Sequence, residues 1–277
     1  MPSFFEHEGH RLAYTVYGEG PRTTVLLHGL LLSQKMHRPL ARALAREGNR
    51  VITLDLLGHG RSDRPRDMTR YSMPFFGEQV VALLDHLEVD EAVLAGTSLG
   101  ANATLEAAAA HASRVRGMVV EMPVLDNALL GCAIAFTPLM CALTFGEPVM
   151  KGVGAVARRI PTRRVWGADV VLDLVRQDPG PSAAVLQGLF FGRVAPHRDI
   201  RRTIQAPALV IGHDRDPVHP FSDSDALVSE LPNARLLRAE SVLELRLTPE
   251  RLTTEIAEFL DECWKPRRKR GGGRRAA

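Results

Sequence analysis

The sequence predicts an α/β fold in which a doubly wound, mostly parallel sheet carries helices on both faces. Two observations lead to this fold class. Over residues 23–120, short apolar runs typical of buried strands alternate with segments of helical periodicity, and the alternation resumes at residue 208. Residues 123–206 are also apolar but show helical spacing and no clear strand. Since strand–helix alternation is typical of parallel sheets covered on both faces, we interpret 123–206 as an insertion into such a sheet.

The predicted strands are short apolar runs bounded by turn residues. The first two flank Glu8-Gly9 and have the pattern of a hairpin. In chain order the predicted strands are Phe4–His7, Arg11–Tyr17, Thr23–Leu27, Val51–Leu54, Glu91–Ala95, Val115–Val120, Ala208–Ile211 and Arg235–Arg238.

The predicted helices lie between these strands and carry apolar residues three or four positions apart. With the strands they define a core of residues 1–122 and 207–264, and a helical cap of residues 123–206 inserted between the sixth and seventh strands. The predicted core helices are Leu40–Glu47, a stretch within Tyr71–Leu87, Leu99–His111, Ser222–Glu230 and Pro249–Trp264.

The chain has 277 residues, 45% of them hydrophobic, which suffices for one large core. Residues 265–277 hold seven of its 35 Lys and Arg and no acid, so the remainder has 28 basic against 32 acidic residues. This Gly-rich tail has too little apolar surface to fold, and we expect it to be disordered. We expect a solvated tail and no nucleic-acid partner, and the alternative is a weak contact between the tail and a polyanion.

The three cysteines, Cys132, Cys141 and Cys263, are odd in number and show no C-x-x-C or metal-binding spacing. The first ten residues have no charged segment followed by an apolar run, so we expect no signal peptide. A reduced, cytoplasmic protein is the simplest interpretation. The sequence does not indicate an oligomeric state.

The segment Ala128–Gly146 carries no charge over 19 residues, a length that could span a bilayer. Gly131, Thr137 and Pro138 interrupt it, and it lies in the middle of a chain with a soluble pattern. We expect a buried or lid helix and no stable membrane insertion. A lid that touches lipid when open is the alternative.

The motif Gly96-Thr97-Ser98-Leu99-Gly100 follows a predicted strand and precedes an Ala-rich helix. This is the context in which G-x-S-x-G places a nucleophilic serine on a sharp, strained turn above a sheet. A β-carbon at Gly96 or Gly100 would collide with neighbouring backbone. The helix dipole favours negative charge beside the serine hydroxyl. Ser98 is therefore a candidate nucleophile.

Three further segments follow predicted strands and should meet at the same edge of the sheet. In the first of them, His28-Gly29-Leu30, the N–H of Leu30 can point toward the serine beside the N–H of Leu99. Two fixed donors of this kind stabilise a developing oxyanion. The other two segments begin at Asp55 and at Gly212.

Together these segments resemble the α/β-hydrolase superfamily, in particular its capped members similar to esterases and C–C hydrolases. The resemblance implies an α/β-hydrolase fold, Ser98 as nucleophile, Leu30 and Leu99 as oxyanion donors, and an acid after the late strand. For that acid the family's D-P-x-x-P form favours Asp216, with Asp214 as the alternative. The matching residues are HG (28–29), DLLGHGRS (55–62), GTSLG (96–100) and the G…DPVHP segment (212–220).

The family pattern also requires a histidine after the last strand, which is absent here. Residues 238–248 contain none, and no histidine occurs after His219. The missing side chain would fall near Ser241 or Val242. A serine hydroxyl without an adjacent base is a poor nucleophile at neutral pH.

Three interpretations remain open. His219, three residues beyond Asp216, could act as a substitute base; His28 and His59 are expected at the pocket rim. Glu244 could be the base if burial raised its pKa. Alternatively, the site binds a ligand or an anion without forming an acyl-enzyme.

The sequence thus predicts a hydrolase of an ester, thioester or similar acyl bond, with no cofactor and no metal. The alternative is a degraded hydrolase fold used as a ligand-binding or partner protein. Apolar cap residues point to an apolar small-molecule substrate. They are Leu129, Leu130, Ile134, Phe136, Leu139, Met140, Leu143 and Phe145.

Overall fold

The sheet has eight strands in the order β1-β2-β4-β3-β5-β6-β7-β8. The computed structural model describes residues 2–160, 166–214, 216 and 218–266, without the side chains of 166–169 and 171. β1 pairs antiparallel with β2 and β2 antiparallel with β4, whereas every later pairing is parallel. The strands are β1 (Ser3–His7), β2 (His10–Tyr17), β3 (Arg22–Leu27), β4 (Asn49–Leu54), β5 (Ala92–Thr97), β6 (Val115–Glu121), β7 (Ala208–His213) and β8 (Ala234–Ala239).

Helices connect the parallel strands and cover both faces of the sheet. On one face α1 and α11 pack together on the sheet, and on the other α2, α3 and α9 form the larger apolar layer. The helices are α1 (Arg38–Arg46), α2 (Met73–His86), α3 (Leu99–Ala110), α4 (Leu129–Phe145), α5 (Glu147–Arg158), α6 (Trp166–Arg176), α7 (Pro179–Phe191), α8 (Arg198–Arg201), α9 (Phe221–Glu230), α10 (Glu244–Leu247) and α11 (Glu250–Trp264).

The predicted fold class is confirmed: a doubly wound, mostly parallel sheet carries helices on both faces. The prediction for β5 ended two residues early, because the strand continues through Gly96 and Thr97 up to the serine. The short helices α8 and α10, four residues each, were not predicted. A single turn is too short to show helical periodicity.

The cap contains α4 to α8, and its described residues form no strand. α4 packs on α7, and α5 contacts both of them. The division of the chain at residues 123 and 206 stays a prediction. Residues 267–277 of the basic tail, which the sequence predicts to be disordered, lie outside the described residues.

The segment Asp126–Phe145 is, within the described ranges, the one helical stretch long and apolar enough to cross a membrane by length and composition. The expectation that it is buried is wrong in most of its length, because only 11% of its most apolar 18-residue window is buried. The same expectation included a lid helix, and the position of this segment in the cap agrees with that interpretation.

Candidate active site

Ser98 occupies the sharp turn between β5 and α3. Its backbone has φ 54° and ψ −110°, in the left-handed half of conformational space that a residue other than glycine seldom adopts. A β-carbon on Gly96 would lie 2.1 Å from the carbonyl carbon of Gly100, and one on Gly100 would lie 2.2 Å from the carbonyl oxygen of Leu27. Both glycines are therefore required sterically for the turn that lifts Ser98 above the sheet.

The loop after β7 brings His219 to the serine. Nε2 of His219 lies 2.8 Å from Oγ of Ser98, and Nδ1 lies 2.9 Å from Oδ2 of Asp216. The His219 and Asp216 side chains are 16% and 7% exposed. The three side chains thus form one continuous hydrogen-bonded chain.

The partners of His219 define its tautomer. An ionised carboxylate only accepts hydrogen bonds, so Nδ1 must carry the proton that it donates to Asp216. Nε2 of the neutral ring is then an acceptor, and the hydroxyl of Ser98 donates to it. In this state His219 is oriented to take the proton of Ser98.

Asp216 is kept ionised by its surroundings. Burial acts to raise the pKa of its carboxyl, but hydrogen bonds from the His219 side chain and from the N–H groups of His219 and Val218 lower it below its usual value. Asp214, the alternative acid, is exposed and faces Arg238 at 3.5 Å. The geometry therefore favours Asp216 as the partner of His219.

Leu30 and Leu99 lie at the same cavity as Ser98. Leu99 is the first residue of α3, so its N–H has no partner four residues earlier within the helix and lies at the positive end of the helix dipole. Leu30 lies in the turn after β3, and both residues line one cavity with Ser98. The role of their two N–H groups as oxyanion donors stays a prediction.

The other candidate bases lie elsewhere. Glu244 accepts hydrogen bonds from the Arg251 side chain at 2.8 Å and from the N–H of Glu240 at 2.5 Å. Burial works to raise the pKa of Glu244, but these bonds lower it, which weakens it as a base. Its carboxylate is committed to fixing α10 against α11.

His28 and His59 do not line the pocket rim, contrary to expectation. Both are fully buried. Nδ1 of His28 donates to the carbonyl of Gly29 and Nε2 accepts from the N–H of Leu56, while Nδ1 of His59 donates to the carbonyl of Leu57. Burial lowers the pKa of both imidazoles, so they remain neutral and hold the loops after β3 and β4.

A buried ion pair lies behind the serine, near the segment where the family pattern places its histidine. Arg246 of α10 donates to Oε2 of Glu121 at 2.7 Å and to Oγ1 of Thr97 at 3.0 Å. The hydroxyl of Thr97 donates to the same carboxylate, and the backbone carbonyl of Glu121 accepts from the N–H of Ser98. Glu121 thus holds both residues of the turn through its side chain and its backbone.

His213, at the end of β7, completes this cluster. Its Nδ1 donates to the carbonyl of Ser241 at 2.8 Å, and its Nε2 lies 3.6 Å from Oε1 of Glu121. Burial acts to lower the pKa of His213, but the carboxylate of Glu121 raises it. Burial likewise acts to raise the pKa of Glu121, but Arg246 outweighs it and the pKa is lowered.

Sequence reasoning missed this cluster, although the sequence held one signal. Glu121 ends a strand whose other residues from Gly117 onward are all buried. A charged residue in that position requires a buried partner. The partner, Arg246, is separated from it by more than a hundred residues, and nothing in the local pattern of 244–247 identifies it.

Ser98 faces a largely apolar cavity of about 390 Å³ beneath the cap. Helices α4 and α7 supply most of its wall. Among the described residues, no group of three or more His, Cys, Asp or Glu could hold a metal ion. The lining residues are Leu30, Met73, Ser98, Leu99, Val124, Leu129, Cys132, Ala133, Phe136, Met140, Leu186, Leu189, Phe190, Gly192 and Val194.

A serine on a strand-to-helix turn, an imidazole and a carboxylate in hydrogen-bonded sequence, and a covered cavity define the hydrolase class of α/β protein. The model of the alpha/beta hydrolase fold family matches residues 24–242. The chain belongs to the α/β-hydrolase family.

Relatives within this family differ in their reactions. A haloalkane dehalogenase of Mycolicibacterium paratuberculosis is 34% identical over 233 residues, which cover 78% of this chain and 74% of that protein. The acetyltransferase component of an acetoin cleaving system from Pseudomonas putida is 31% identical over 240 residues. The chain spans only 59% of the length of that protein, and 40% of a relative from a mycobacteriophage.

Solved structures show the same fold at lower identity. An enol-lactonase from Burkholderia xenovorans superimposes with a TM-score of 0.75 at 23% identity, covering 94% of this chain and 100% of that one. An esterase from Exiguobacterium antarcticum gives 0.77 at 19% identity, with 94% and 100% covered.

Proposed function

We propose that this chain is a serine hydrolase that cleaves an ester, thioester or similar acyl bond of an apolar small molecule. The observation that carries the proposal is the 2.8 Å contact between Oγ of Ser98 and Nε2 of His219, with Asp216 on the opposite ring nitrogen. In this arrangement the base lies within proton-transfer distance of the nucleophile and is held in the required tautomer.

In the proposed reaction Ser98 attacks the acyl carbon while its proton passes to Nε2 of His219. The carbonyl electrons move to the oxygen, which the N–H groups of Leu30 and Leu99 stabilise. When the tetrahedral intermediate collapses, the leaving oxygen or sulfur takes the proton from His219 and departs as an alcohol or thiol. A water molecule, deprotonated by the same imidazole, then hydrolyses the acyl-enzyme and restores the Ser98 hydroxyl.

Because the candidate nucleophile is a serine, acyl transfer is favoured over the dehalogenation that is named for one relative. Attack of a serine oxygen on a saturated carbon would leave an ether on Ser98. An ether has no carbonyl that water can attack, so the enzyme could not turn over. An acyl ester does have one.

The cavity supports an apolar acyl group as the bound part of the substrate. Its wall is formed mainly by aliphatic and aromatic side chains of α4 and α7, and burial of such surface favours apolar groups. A p-nitrophenyl ester of a medium-length fatty acid is therefore a suitable first substrate.

Labelling with a fluorophosphonate probe tests the proposal directly. We expect the wild-type protein to be labelled on Ser98 and to turn over p-nitrophenyl esters, and Ser98→Ala and His219→Gln to lose both properties. If the folded wild-type protein is neither labelled nor active, while apolar ligands raise its Tm, the fold serves for binding and the proposal is wrong.

A further inference from the structure

The outer side of the cap is unusually apolar. Twelve of the sixteen large apolar side chains that are exposed in the described part of the chain lie between residues 129 and 200. On α4 they include Leu130, Ile134 and Phe145, which are 71%, 68% and 84% exposed. At 100° per residue these three positions fall on one side of the helix. Val149, Val153 and Val156 form a similar exposed row on α5. We call these six residues the apolar face.

The opposite side of α4 is already used for packing. Phe136, Leu139, Met140 and Leu143 pack toward Leu31, Ala183 and Leu186. α4 is therefore apolar around its whole circumference, yet only one of its two sides is covered by protein. A helix of this composition is ordinarily buried in a core or in lipid, and exposed apolar patches of this extent mark interaction sites.

The cavity that contains Ser98 reaches the same surface. Leu129 and Phe190 line the cavity and are at the same time 44% and 51% exposed. Leu129 is the first residue of α4, and Phe190 lies in α7, which packs against the covered side of α4. The cavity therefore opens at the surface of the cap between these two helices.

Charge on α5 favours an anionic partner. Lys151 and Arg158 are exposed on this helix, and Arg159 follows it. The only acid of α5, Glu147, is already bound by Arg66 at 2.9 Å and by Lys151 at 2.8 Å. Lys151 and Arg158 lie on the side of α5 away from its three valines. A helix with an apolar side and a basic side is typical of helices that lie on anionic membrane surfaces.

We propose that the apolar face docks this protein on the surface of an anionic lipid bilayer. The apolar side chains enter the boundary between headgroups and acyl chains, the basic side chains lie against lipid phosphates, and the chain does not span the membrane. A second copy of the chain fits less well, because a two-fold interface would pair the two α5 helices and bring their basic side chains close together.

Co-sedimentation with vesicles tests this proposal without any measurement of turnover, so its outcome is independent of the function of Ser98. We expect the full-length protein to bind vesicles of phosphatidylcholine mixed with phosphatidylglycerol, and to bind less to phosphatidylcholine alone or at high ionic strength. The double substitution Ile134→Ser with Phe145→Ser should weaken binding about tenfold or more. These side chains are exposed, so folding should not change.

Leu247→Ser is the matched control, because Leu247 lies on the core and is 67% exposed, close to the exposure of Ile134. Its vesicle binding should equal that of the wild type. A second full-length variant replaces the Lys and Arg of residues 267–275 by Gln, and it should still bind.

Four results would overturn the proposal. The first is no binding of the wild type to either vesicle. The second is equal binding of the wild type and the double variant. The third is loss of binding in the tail variant, which would assign the attraction to the tail. The fourth is a dimer in sedimentation equilibrium that the double variant converts to monomer, since the apolar face would then bind a second copy.

Discussion

Asp216 and His219 stand three residues apart in the loop after β7, and one hydrogen bond of 2.9 Å joins their side chains. The carboxylate also accepts the N–H groups of Val218 and His219, so it fixes the backbone that carries the imidazole. In the proposed reaction the base and the acid thus come from a single loop. The segment 240–243, where the family pattern places a histidine, is not needed to supply one.

Asp216→Asn should reduce kcat/KM for a p-nitrophenyl ester on the order of 10³–10⁴-fold, as loss of the orienting carboxylate does in serine triads. The amide NH₂ of asparagine would donate to Nδ1 and favour the tautomer whose Nε2 cannot accept the serine proton. Asp214→Asn, at the exposed pair with Arg238, is the matched control and should keep wild-type activity. Equal rates in the two variants would mean that Asp216 does not serve His219.

The turn that carries Ser98 should be intolerant of a single methyl group. Gly96→Ala places its β-carbon 2.1 Å from backbone atoms of Gly100, so we expect the free energy of unfolding to fall by about 3 kcal/mol or more. Gly152→Ala is the control, because nothing lies within 4 Å of the position that its methyl group would take on α5. Since alanine has a higher helix propensity than glycine, this substitution should raise the free energy of unfolding by about 1 kcal/mol. Urea unfolding of both variants measures the difference. A Gly96→Ala protein as stable as the wild type would contradict the close contact.

The strands of the core could be predicted because each is an apolar run bounded by turns. Buried parallel strands such as Ala92–Thr97 have few polar residues, and this pattern is local in sequence. The cap was harder. Its helices are apolar on both covered and exposed sides, so periodicity did not show that Leu130 and Phe145 face outward.

The site could be predicted to the extent that its residues lie in local motifs. Ser98, Leu99 and Leu30 follow from the turns after β5 and β3, and Asp216 from the loop after β7. The choice between His219 and Glu244 as neighbour of Ser98 depends on how the loop after β7 turns toward β5. That is a tertiary relationship with no local sequence signal.

Removing only the cation of the Glu121–Arg246 pair should destabilise the fold more than removing both charges. Their side chains are 3% and 14% exposed, so Arg246→Met leaves a buried carboxylate without its cation, at a cost of about 3–5 kcal/mol. The double variant Glu121→Gln with Arg246→Met removes both charges and should be less destabilised than Arg246→Met alone. Chemical denaturation of the wild type, both single variants and the double variant gives the coupling energy. Strictly additive losses would contradict a direct ionic interaction.

Acidic pH should reduce the difference in the free energy of unfolding between Arg246→Met and the wild type. Glu121 has a lowered pKa in the folded protein, so its stabilising contribution is present above its unfolded pKa of about 4.3 and is lost as pH falls toward the folded value. Without Arg246, burial raises the pKa instead, and protonation relieves the uncompensated charge. Urea unfolding at pH 6 and pH 3 should therefore show a smaller cost of the substitution at pH 3. A cost that is independent of pH would show that Glu121 is not the group affected.

In the proposed reaction the cavity wall should set the length of the acyl group that is accepted. Ala133 of α4 lines the cavity, so Ala133→Phe fills space that a long acyl chain would occupy. We expect kcat/KM for a p-nitrophenyl octanoate to fall about tenfold or more while the acetate is little affected, because each displaced methylene is worth about 1 kcal/mol or more. Ala135→Phe adds the same ring to the same helix at an exposed position outside the cavity and should leave the chain-length profile unchanged. If Ala133→Phe left that profile unchanged as well, the acyl group would have to bind outside the cavity beneath α4.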